Sequence, residues 1–320
     1  MKPASDREER VSVLMPCRNA GPYLQAAVRS VLSQPECLEL LVADGGSSDG
    51  SLQTLEALAA EDPRLRIVSR EDAGPADALN QALKAARGTL IGWLNADDLY
   101  PTGALGRAVA ALRAHPKWLM VYGEGEEFND DTGLRQRYPT LPAAVGIQGF
   151  RSHCFVCQPT VVFRRSMAVL LGPFDGRWRT AFDFDYWLRA FAAFPHRIGY
   201  VPHLQGRTRL HPGTITSRER ALVALEATAL LARQFGSAEE SRLHGYAEEL
   251  RLGLAELPAE DSFQAHFASL LRQASPWLHP YALAALQRDW LMQPSANSTA
   301  PLSLPRQLDR KSTRLNSSHA

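Results

Sequence analysis

Two adjacent aspartates, Asp97 and Asp98, come directly after a short apolar run at residues 90–94. The run has the length of a buried strand, and the residues after Pro101 follow a helical pattern. Because neighbouring carboxylates repel each other, a positive charge stabilises such a pair, and a hard divalent cation prefers these oxygen ligands. Acids also favour the positive N-terminus of a helix. The pair alone therefore predicts either a metal site or a helix cap.

A second acidic pair, Asp183 and Asp185, stands where a later helical pattern begins, and aromatic residues flank both of them. Aromatic neighbours exclude water from a carboxylate, which raises its pKa and makes it a better general base near neutral pH. The alternative is that both acids only favour the positive N-terminus of the helix, which explains one acid better than two. We therefore expect one of these aspartates to act as a base.

The elements that must position these residues alternate between strands and helices. Four apolar runs predict strands at 11–15, 38–43, 65–68 and 90–94. A helical pattern follows each of the first three runs, which predicts a parallel sheet covered on both faces. Ligands bind beyond the carboxyl ends of such strands. Three polar clusters follow these ends and should converge on one crevice: residues 18–19, 44–49 and 95–98.

The rest of the chain carries local signals of several kinds. The patterns predict a helix at 104–114, strands at 118–122, 124–129 and 198–201, a hairpin turn at 130–133 and an irregular loop at 138–149. Beyond residue 218, helices are predicted at 219–235, 237–254, 262–274 and 280–291. Cys154 and Cys157 form a Cys-x-x-Cys motif. Zinc would need two further ligands at fitting spacing, so we expect two small buried apolar side chains.

Together these blocks resemble the family 2 glycosyltransferases of the GT-A fold. The matching stretches are residues 13–19, 23–24, 30–34, 42–50, 72–80 and 93–98, and the resemblance covers residues 12–217. It implies an α/β fold of the GT-A, Rossmann-like type, with a mixed, mostly parallel sheet, helices on both faces and an α-helical C-terminal appendage.

The resemblance also implies which residues bind the nucleotide and the donor sugar. They are Pro16, Arg18, Asn19, Asp44, Asp77, Asn80, Asn95 and Asp97. In this set Asp44 would contact the nucleotide base, although it also suits a turn, and Asp49 suits a helix cap. Asn95 stands where many members of the family have Asp, and its amide can bind a hydroxyl but adds no charge.

The metal and the catalytic base follow from the same resemblance. The metal would be Mg²⁺ or Mn²⁺, held mainly by Asp98 with Asp97 in support. His211, in the closing stretch at 207–213, would ligate this metal or hold the diphosphate. Arg207 or Arg209 could pair with phosphate oxygens through a planar fork.

The family's base is an Asp at the start of a late helix. Its position favours Asp183. Asp185 remains the second candidate, because Phe182 replaces the Glu that often comes before the Asp of the family.

The activity implied is that of an inverting, hexosyltransferase-type enzyme. It would move a sugar from a nucleotide-diphosphate sugar, a UDP-sugar being favoured, to a sugar or lipid-linked sugar acceptor in cell-surface polysaccharide or glycolipid assembly. One alternative is a sugar-phosphate nucleotidyltransferase, which should show a Gly-rich loop after the first strand. Residues 17–20, which follow that strand here, contain no glycine. The other alternative is a non-catalytic nucleotide-sugar-binding or scaffold protein, which Asn95 and Phe182 support.

Composition limits the partners and the location. The 320 residues carry a formal charge of +1, which gives no reason to expect nucleic acid as a partner. No apolar run reaches the length of a membrane span, and residues 1–10 are too charged for a secretory signal. Four cysteines without such a signal indicate a reducing compartment. We therefore expect a cytoplasmic protein, with peripheral contact at the inner face of the membrane left open.

The sequence predicts five segments. They are an N-terminal tail at 1–10, a glycosyltransferase domain at 11–217, a helical region at 218–292, a disordered stretch at 293–308, and a final segment at 309–320. The final segment resembles a translated sequencing adapter and is excluded from the fold prediction. The helical region could form a homodimer, bind an acceptor or lie on a membrane surface.

Overall fold

The computed structural model describes residues 9–69, 72–258 and 261–292. Its strands are β1 (Val11–Cys17), β2 (Cys37–Asp44), β3 (Leu65–Ser69), β4 (Leu90–Trp93), β5 (Met120–Phe128), β6 (Arg135–Arg137), β7 (Val162–Arg164) and β8 (Ile198–Arg209). All eight belong to one sheet with the order β3-β2-β1-β4-β7-β5-β6, and β8 pairs with β5.

Helices connect and cover these strands. They are α1 (Leu24–Leu32), α2 (Ser51–Glu61), α3 (Pro75–Ala85), α4 (Ala104–Ala114), α5 (Arg165–Leu171), α6 (Phe182–Ala193), α7 (Ile215–Arg218), α8 (Arg220–Phe235), α9 (Ser241–Arg251), α10 (Phe263–Ala274) and α11 (Pro280–Trp290). The predicted loop at 138–149 contains two short 3₁₀ helices, Ala143–Val145 and Ile147–Arg151, the second of which extends beyond it.

The sheet is mixed and mostly parallel. β1 pairs in parallel with β2 and with β4, and β2 pairs in parallel with β3. β7 runs antiparallel to both of its neighbours, β4 and β5, whereas β8 is parallel to β5. The carboxyl ends of β1, β2, β3 and β4 therefore meet at one edge, as the sequence predicted.

The sheet separates two apolar cores, because successive residues of a strand face opposite sides. Leu14 packs into the core that contains buried residues of α3 and α6, whereas Val13 and Met15 pack into the core that contains those of α1 and α4. Helices thus cover both faces of the sheet. This arrangement confirms the predicted α/β fold.

Two of the predicted strand boundaries are wrong. The predicted strands 118–122 and 124–129 are one strand, Met120–Phe128, whose register with β8 shifts on both sides of Glu124. The predicted strand 198–201 continues to Arg209, although Pro202 lies inside it. Proline normally ends a strand, but it is tolerated at an irregularity such as the one formed here by the pairing with β5.

The C-terminal helices pack directly on the sheet side that contains α6. Leu230, Leu243 and Phe267 are fully buried and share one core with Trp187 of α6. The division into domains at residue 217 stays a prediction. The predictions for residues 1–8 and 293–320 lie outside the described residues, and no helix in the described part of the chain is long and apolar enough to cross a bilayer.

Candidate active site

The turn after β4 places two neighbouring aspartates in different surroundings. Asp98 is 1% exposed and accepts hydrogen bonds from the Arg209 backbone N–H (2.9 Å), the Thr208 hydroxyl (3.0 Å) and the Asn95 amide (3.1 Å). Burial, and then the nearby charge of Asp97, raise the pKa of Asp98 well above its usual range. Asp98 therefore fastens the end of β4 to the end of β8.

Asp97 lies beside His211, which is 114 residues further along the chain. The Asp97 Oδ2 atom is 3.0 Å from His211 Nε2, and both side chains keep partial access to solvent. The His211 ring also packs on Tyr23, with ring centroids 4.6 Å apart. Carboxylate and imidazole are both metal-binding groups, so this pair provides donors of the right chemistry for a divalent cation.

The pair does not form a complete metal cage. Within residues 9–69, 72–258 and 261–292, no group of three or more His, Cys, Asp or Glu side chains could hold a metal ion. Mg²⁺ is usually bound by only one or two protein carboxylates, with water and substrate phosphates as its other ligands. The two donors therefore fit a cation that is shared with a bound diphosphate. Asp97 fits this position better than Asp98, whose oxygens are buried and hydrogen-bonded.

The arginines of the closing stretch are already engaged by the protein. The Arg209 guanidinium donates to the Asp97 carbonyl (2.8 Å), pairs with Asp130 and lies over the rings of Tyr23 and Phe128. Arg207 pairs with Glu126 across the β5–β8 ladder, with 3.0 Å between nitrogen and oxygen. Both side chains therefore have protein partners, and their pairing with phosphate oxygens stays a prediction. Arg209 supports the turn that carries Asp97.

Trp93 at the end of β4 connects this turn to the start of α6. Its indole N–H donates to Asn95 Oδ1 (3.0 Å), and the Asn95 amide in turn donates to Gln158 Oε1 (3.0 Å). Gln158 closes the ring by donating to the Trp93 carbonyl (2.8 Å). The Trp93 ring stacks on Phe182, with centroids 5.5 Å apart. Through this contact Phe182 connects the acidic turn to the start of α6, where Asp183 is the next residue.

Asp183 is the second residue of α6 and is partly exposed between two buried phenylalanines, Phe182 and Phe184. One of its oxygens accepts the backbone N–H of Phe184 (2.7 Å). Its desolvated surroundings raise the pKa of Asp183 to about 6, as the flanking aromatic residues predicted. A carboxylate with this pKa is ionised at neutral pH and is a competent general base.

Asp185 has a different role in the fold. It is fully buried, and its two oxygens pair with two arginines: Oδ2 with Arg189 one turn along the same helix (2.7 Å), and Oδ1 with Arg233 of α8. A buried carboxylate paired in this way joins two helices. The structure therefore separates the two acids that the sequence left as alternative bases.

The loops after β1 and β2 are fastened to each other. Asn19 donates its backbone N–H to Ser47 Oγ (2.8 Å) and accepts the N–H of Ser48 with its side chain (2.8 Å). Its φ of 54° is in the left-handed region, which asparagine tolerates better than most residues. Asp44 is buried and accepts the N–H of Ser47 (3.0 Å), while Asp49 accepts the N–H of Gly21 (2.9 Å). Asp49 thus stabilises the loops as a turn residue, whereas the N-cap position of α2 is Gly50 and not Asp49.

One further acid in this area was not identified from the sequence. Asp72 lies so close to Gly45 that a Cβ atom there would be 2.6 Å from its Oδ2 atom. Asp72 therefore stands beside Asp44, at the end of the next strand. Its signal was its position shortly after β3, which is similar to that of Asp44 at the end of β2.

Most of the remaining residues expected at the nucleotide have contacts of their own within the protein. Pro16 lies within β1 in register with Ala43, and Arg18 is exposed in the loop that follows. Asp77 accepts a hydrogen bond from Gln81 one turn along its own helix (2.8 Å). The Asn80 side chain exchanges two hydrogen bonds, both 2.9 Å long, with the backbone of Phe174, which makes it a structural link.

Sequence comparison places the chain among enzymes of sugar transfer. The sequence model of Glycosyl transferase family 2 matches residues 12–170. A Mycobacterium bovis protein (strain BCG / Pasteur 1173P2), described as a PGL/p-HBAD biosynthesis glycosyltransferase, is 29% identical over 185 residues, which are 57% of this chain and 69% of the relative.

Comparison with solved structures shows a shared fold. S. aureus TarS aligns with a TM-score of 0.60 and 19% identity over 87% of this chain and 83% of its own, and its complex with UDP aligns with a TM-score of 0.57. Glucosyl-3-phosphoglycerate synthase from Mycobacterium tuberculosis, solved with Mn²⁺, UDP and glucosyl-3-phosphoglycerate, aligns with a TM-score of 0.51 and 19% identity over 71% of this chain and 80% of its own.

Proposed function

The chain belongs to glycosyl transferase family 2 and is a glycosyltransferase, and from this premise we propose that it is a metal-dependent, inverting enzyme. In this proposal it takes a sugar from a nucleotide-diphosphate sugar, preferably a UDP-sugar, and transfers it to a hydroxyl group. The observation that carries the proposal is the meeting of Asp97 and His211 in the turn after β4, which Trp93 connects to α6, the helix whose second residue is Asp183.

Asp97 and His211 would hold the divalent cation, Mg²⁺ or Mn²⁺. A cation bound there would neutralise negative charge that develops on the diphosphate as it leaves. The presence of Mn²⁺ and UDP in the fold relative glucosyl-3-phosphoglycerate synthase supports this choice. The Arg209 guanidinium, which donates to the Asp97 carbonyl, would keep Asp97 in place.

Asp183 would act as the base. Its carboxylate removes the proton from the acceptor hydroxyl, the hydroxyl oxygen bonds to the anomeric carbon, and the bond from that carbon to the diphosphate oxygen breaks on the opposite face. The configuration at the anomeric carbon is inverted by this single displacement. The aromatic residues around Asp183 exclude water, which raises its proton affinity.

Besides Glu226, the titratable side chains of Tyr138, Cys154 and Cys157 are close enough to Asp183 to interact with its charge. Burial raises the pKa of Cys154 to about 12 and the pKa values of Tyr138 and Cys157 well above their usual range. All three are therefore uncharged near neutral pH. Compared with these three side chains, Asp183 is therefore the one that can accept a proton near neutral pH.

The nucleotide would lie across the loops after β1, β2 and β3. Asp44 and Asp72 offer carboxylate oxygens to the base and ribose, and the bonds of Asn19 to Ser47 and Ser48 fix the loops that form the pocket. UDP is the preferred nucleotide because the fold relative TarS has been solved with it. Asp77 and Asn80 would contribute to the nucleotide pocket through the packing of α3, the helix that carries them.

The biological role belongs to the same proposal. A sugar or lipid-linked sugar acceptor in cell-surface polysaccharide or glycolipid assembly is supported by the relative named for PGL/p-HBAD biosynthesis. A cytoplasmic location, peripheral contact with the membrane and a homodimer through the C-terminal helices are further parts of this proposal.

The proposal is tested by donor turnover in the wild type and in D183N. UDP-glucose, UDP-GlcNAc and GDP-mannose are incubated with the protein and Mn²⁺, and release of the nucleoside diphosphate is followed with and without added sugar acceptors. We expect D183N to lose about a thousandfold or more in turnover, because it lacks the base, while its affinity for UDP stays unchanged. Turnover by D183N at the wild-type rate would rule out Asp183 as the base.

A further inference from the structure

A carboxylate from the C-terminal helices reaches the segment directly before α6. Glu226 of α8 is 9% exposed and accepts four hydrogen bonds from residues 179–181. Its Oε1 atom accepts the N–H of Arg179 (2.8 Å), and its Oε2 atom accepts the N–H and the hydroxyl of Thr180 (both 2.8 Å) and the N–H of Ala181 (2.9 Å). One side chain therefore fixes three successive residues of backbone.

The N-cap residue of α6 has no side chain that could fix the start of the helix. The N-cap residue is Ala181, which has no side-chain hydrogen bond to offer. Helix starts are usually fixed by a nearby Ser, Thr, Asp or Asn. Here the acceptor comes from a residue 45 positions further along the chain. The geometry of the segment before Asp183 thus depends on α8.

A second contact made by α8 lies on the other side of Asp183. Arg233, two turns after Glu226 on α8, pairs with the buried carboxylate of Asp185. Residues seven apart lie on the same face of a helix. One face of α8 therefore contacts the chain both before Asp183, at residues 179–181, and after it, at Asp185.

We propose that Glu226 is a positioning residue for glycosyl transfer, because it holds the three residues before α6 and thereby fixes Asp183 against the acceptor hydroxyl. The proposal rests on the proposed function, in which Asp183 is the base. It gives the C-terminal helices a part in the reaction centre, where the sequence predicted an appendage.

Two consequences distinguish positioning from simple support of the fold. A base displaced by about 1 Å loses on the order of a hundredfold in rate. The negative charge of Glu226 also contributes to the raised pKa of Asp183. Removing that charge lowers the pKa of Asp183, so the pH below which activity falls moves downward.

The experiment compares full-length E226Q with the wild type. The same UDP-glucose, UDP-GlcNAc and GDP-mannose assays give kcat, the KM for the donor and the pH profile of kcat/KM, and hydrogen exchange with mass spectrometry follows the peptide that contains residues 179–181. We expect kcat to fall about ten- to a hundredfold with donor KM unchanged, the acid limb to move to lower pH, and the 179–181 amides to exchange faster.

Glu219→Gln is the matched control. The Glu219 carboxylate also contacts this segment, but through the exposed side chain of Arg179 (2.8 Å) and without a bond to the backbone. E219Q should therefore keep the wild-type values in all three readouts. If E226Q does not fold, T180V removes one of the four hydrogen bonds and leaves α8 intact, and it should show smaller changes in the same directions.

The outcomes separate this inference from the proposed function. Wild-type turnover in D183N would contradict the base assignment itself. An inactive D183N together with an E226Q protein that matches the wild type in kcat, in the acid limb and in amide exchange would overturn the positioning role alone. If no donor is turned over, unchanged exchange of the 179–181 amides in E226Q, or in T180V where E226Q does not fold, overturns it.

Discussion

At the scale of single residues, the site depends on neighbours in sequence that differ in environment. Asp97 faces His211 and keeps access to solvent, whereas Asp98 is buried among donors from β8. In the same way Asp183 stands partly exposed among aromatic rings, and Asp185 is enclosed by two arginines. In each pair one acid is available for chemistry and the other holds the structure together.

The pKa of Asp183 gives a prediction about pH. Desolvation raises this pKa to about 6, and a base works only in its deprotonated form. We therefore expect kcat/KM to be constant above roughly pH 7 and to fall tenfold per pH unit below about pH 6. The measurement is the pH profile of nucleotide release at subsaturating donor. A profile that stays flat down to pH 4.5 would contradict the assignment of the base.

The residue types of the site could be predicted from the sequence, but their individual environments could not. The motif at residues 95–98 identifies the acidic turn. Which of its two aspartates faces outward is decided by Thr208 and Arg209, more than a hundred residues away. The reach of Glu226 to the segment before α6 has no local signal, because it requires the packing of α8.

At the scale of elements, the ion pairs of Asp185 join α6 to α8 and give a prediction about stability. D185N leaves Arg189 and Arg233 without their carboxylate, and removal of one partner of a buried pair costs roughly 3–5 kcal/mol. Because both arginines keep partial access to water, we expect a loss of about 3 kcal/mol in the free energy of unfolding. Urea denaturation measures this value.

Asp175→Asn is the control for this variant. Asp175 pairs with Arg177, whose side chain is 84% exposed, so D175N should cost less than about 1 kcal/mol. In folded D185N, nucleotide release should persist. Wild-type stability together with lost turnover in D185N would instead make Asp185 a catalytic residue.

Local patterns predicted most of the elements whose bounds are determined by their own sequence. The helix at Ala104–Ala114 was predicted with its observed bounds because its apolar face is periodic. β8 was predicted too short because Pro202 and His203 interrupt its pattern. The strand continues past them because it pairs with β5, where a side chain at Gly123 would meet the Val201 carbonyl at 2.5 Å. Such long-range pairing is not visible in a local pattern.

At the scale of the whole molecule, the C-terminal helices share a core with the sheet. A chain that ends after Arg218 would lack the helices that contribute Leu230, Leu243 and Phe267 to this core. It would also expose apolar side chains that share this core, such as Phe184, whose ring lies under Arg242 of α9, and this exposure costs about 25 cal/mol for each Å² of apolar surface. We therefore expect the truncated chain to show no cooperative thermal transition by circular dichroism. A transition at the temperature of the full chain would show that residues 11–217 fold alone.

The measurement that tests the central claim most directly is a calorimetric titration of UDP into the wild type and D97A, each with and without Mn²⁺. Wild-type UDP binding should strengthen with Mn²⁺, and D97A should lose this dependence because it lacks the acid that faces His211. Asp131→Ala, an exposed acid in the β5–β6 turn, should behave as the wild type. Equal metal dependence in D97A would place the cation elsewhere, and no binding of UDP, GDP or dTDP in either condition would contradict a nucleotide-sugar site in this crevice.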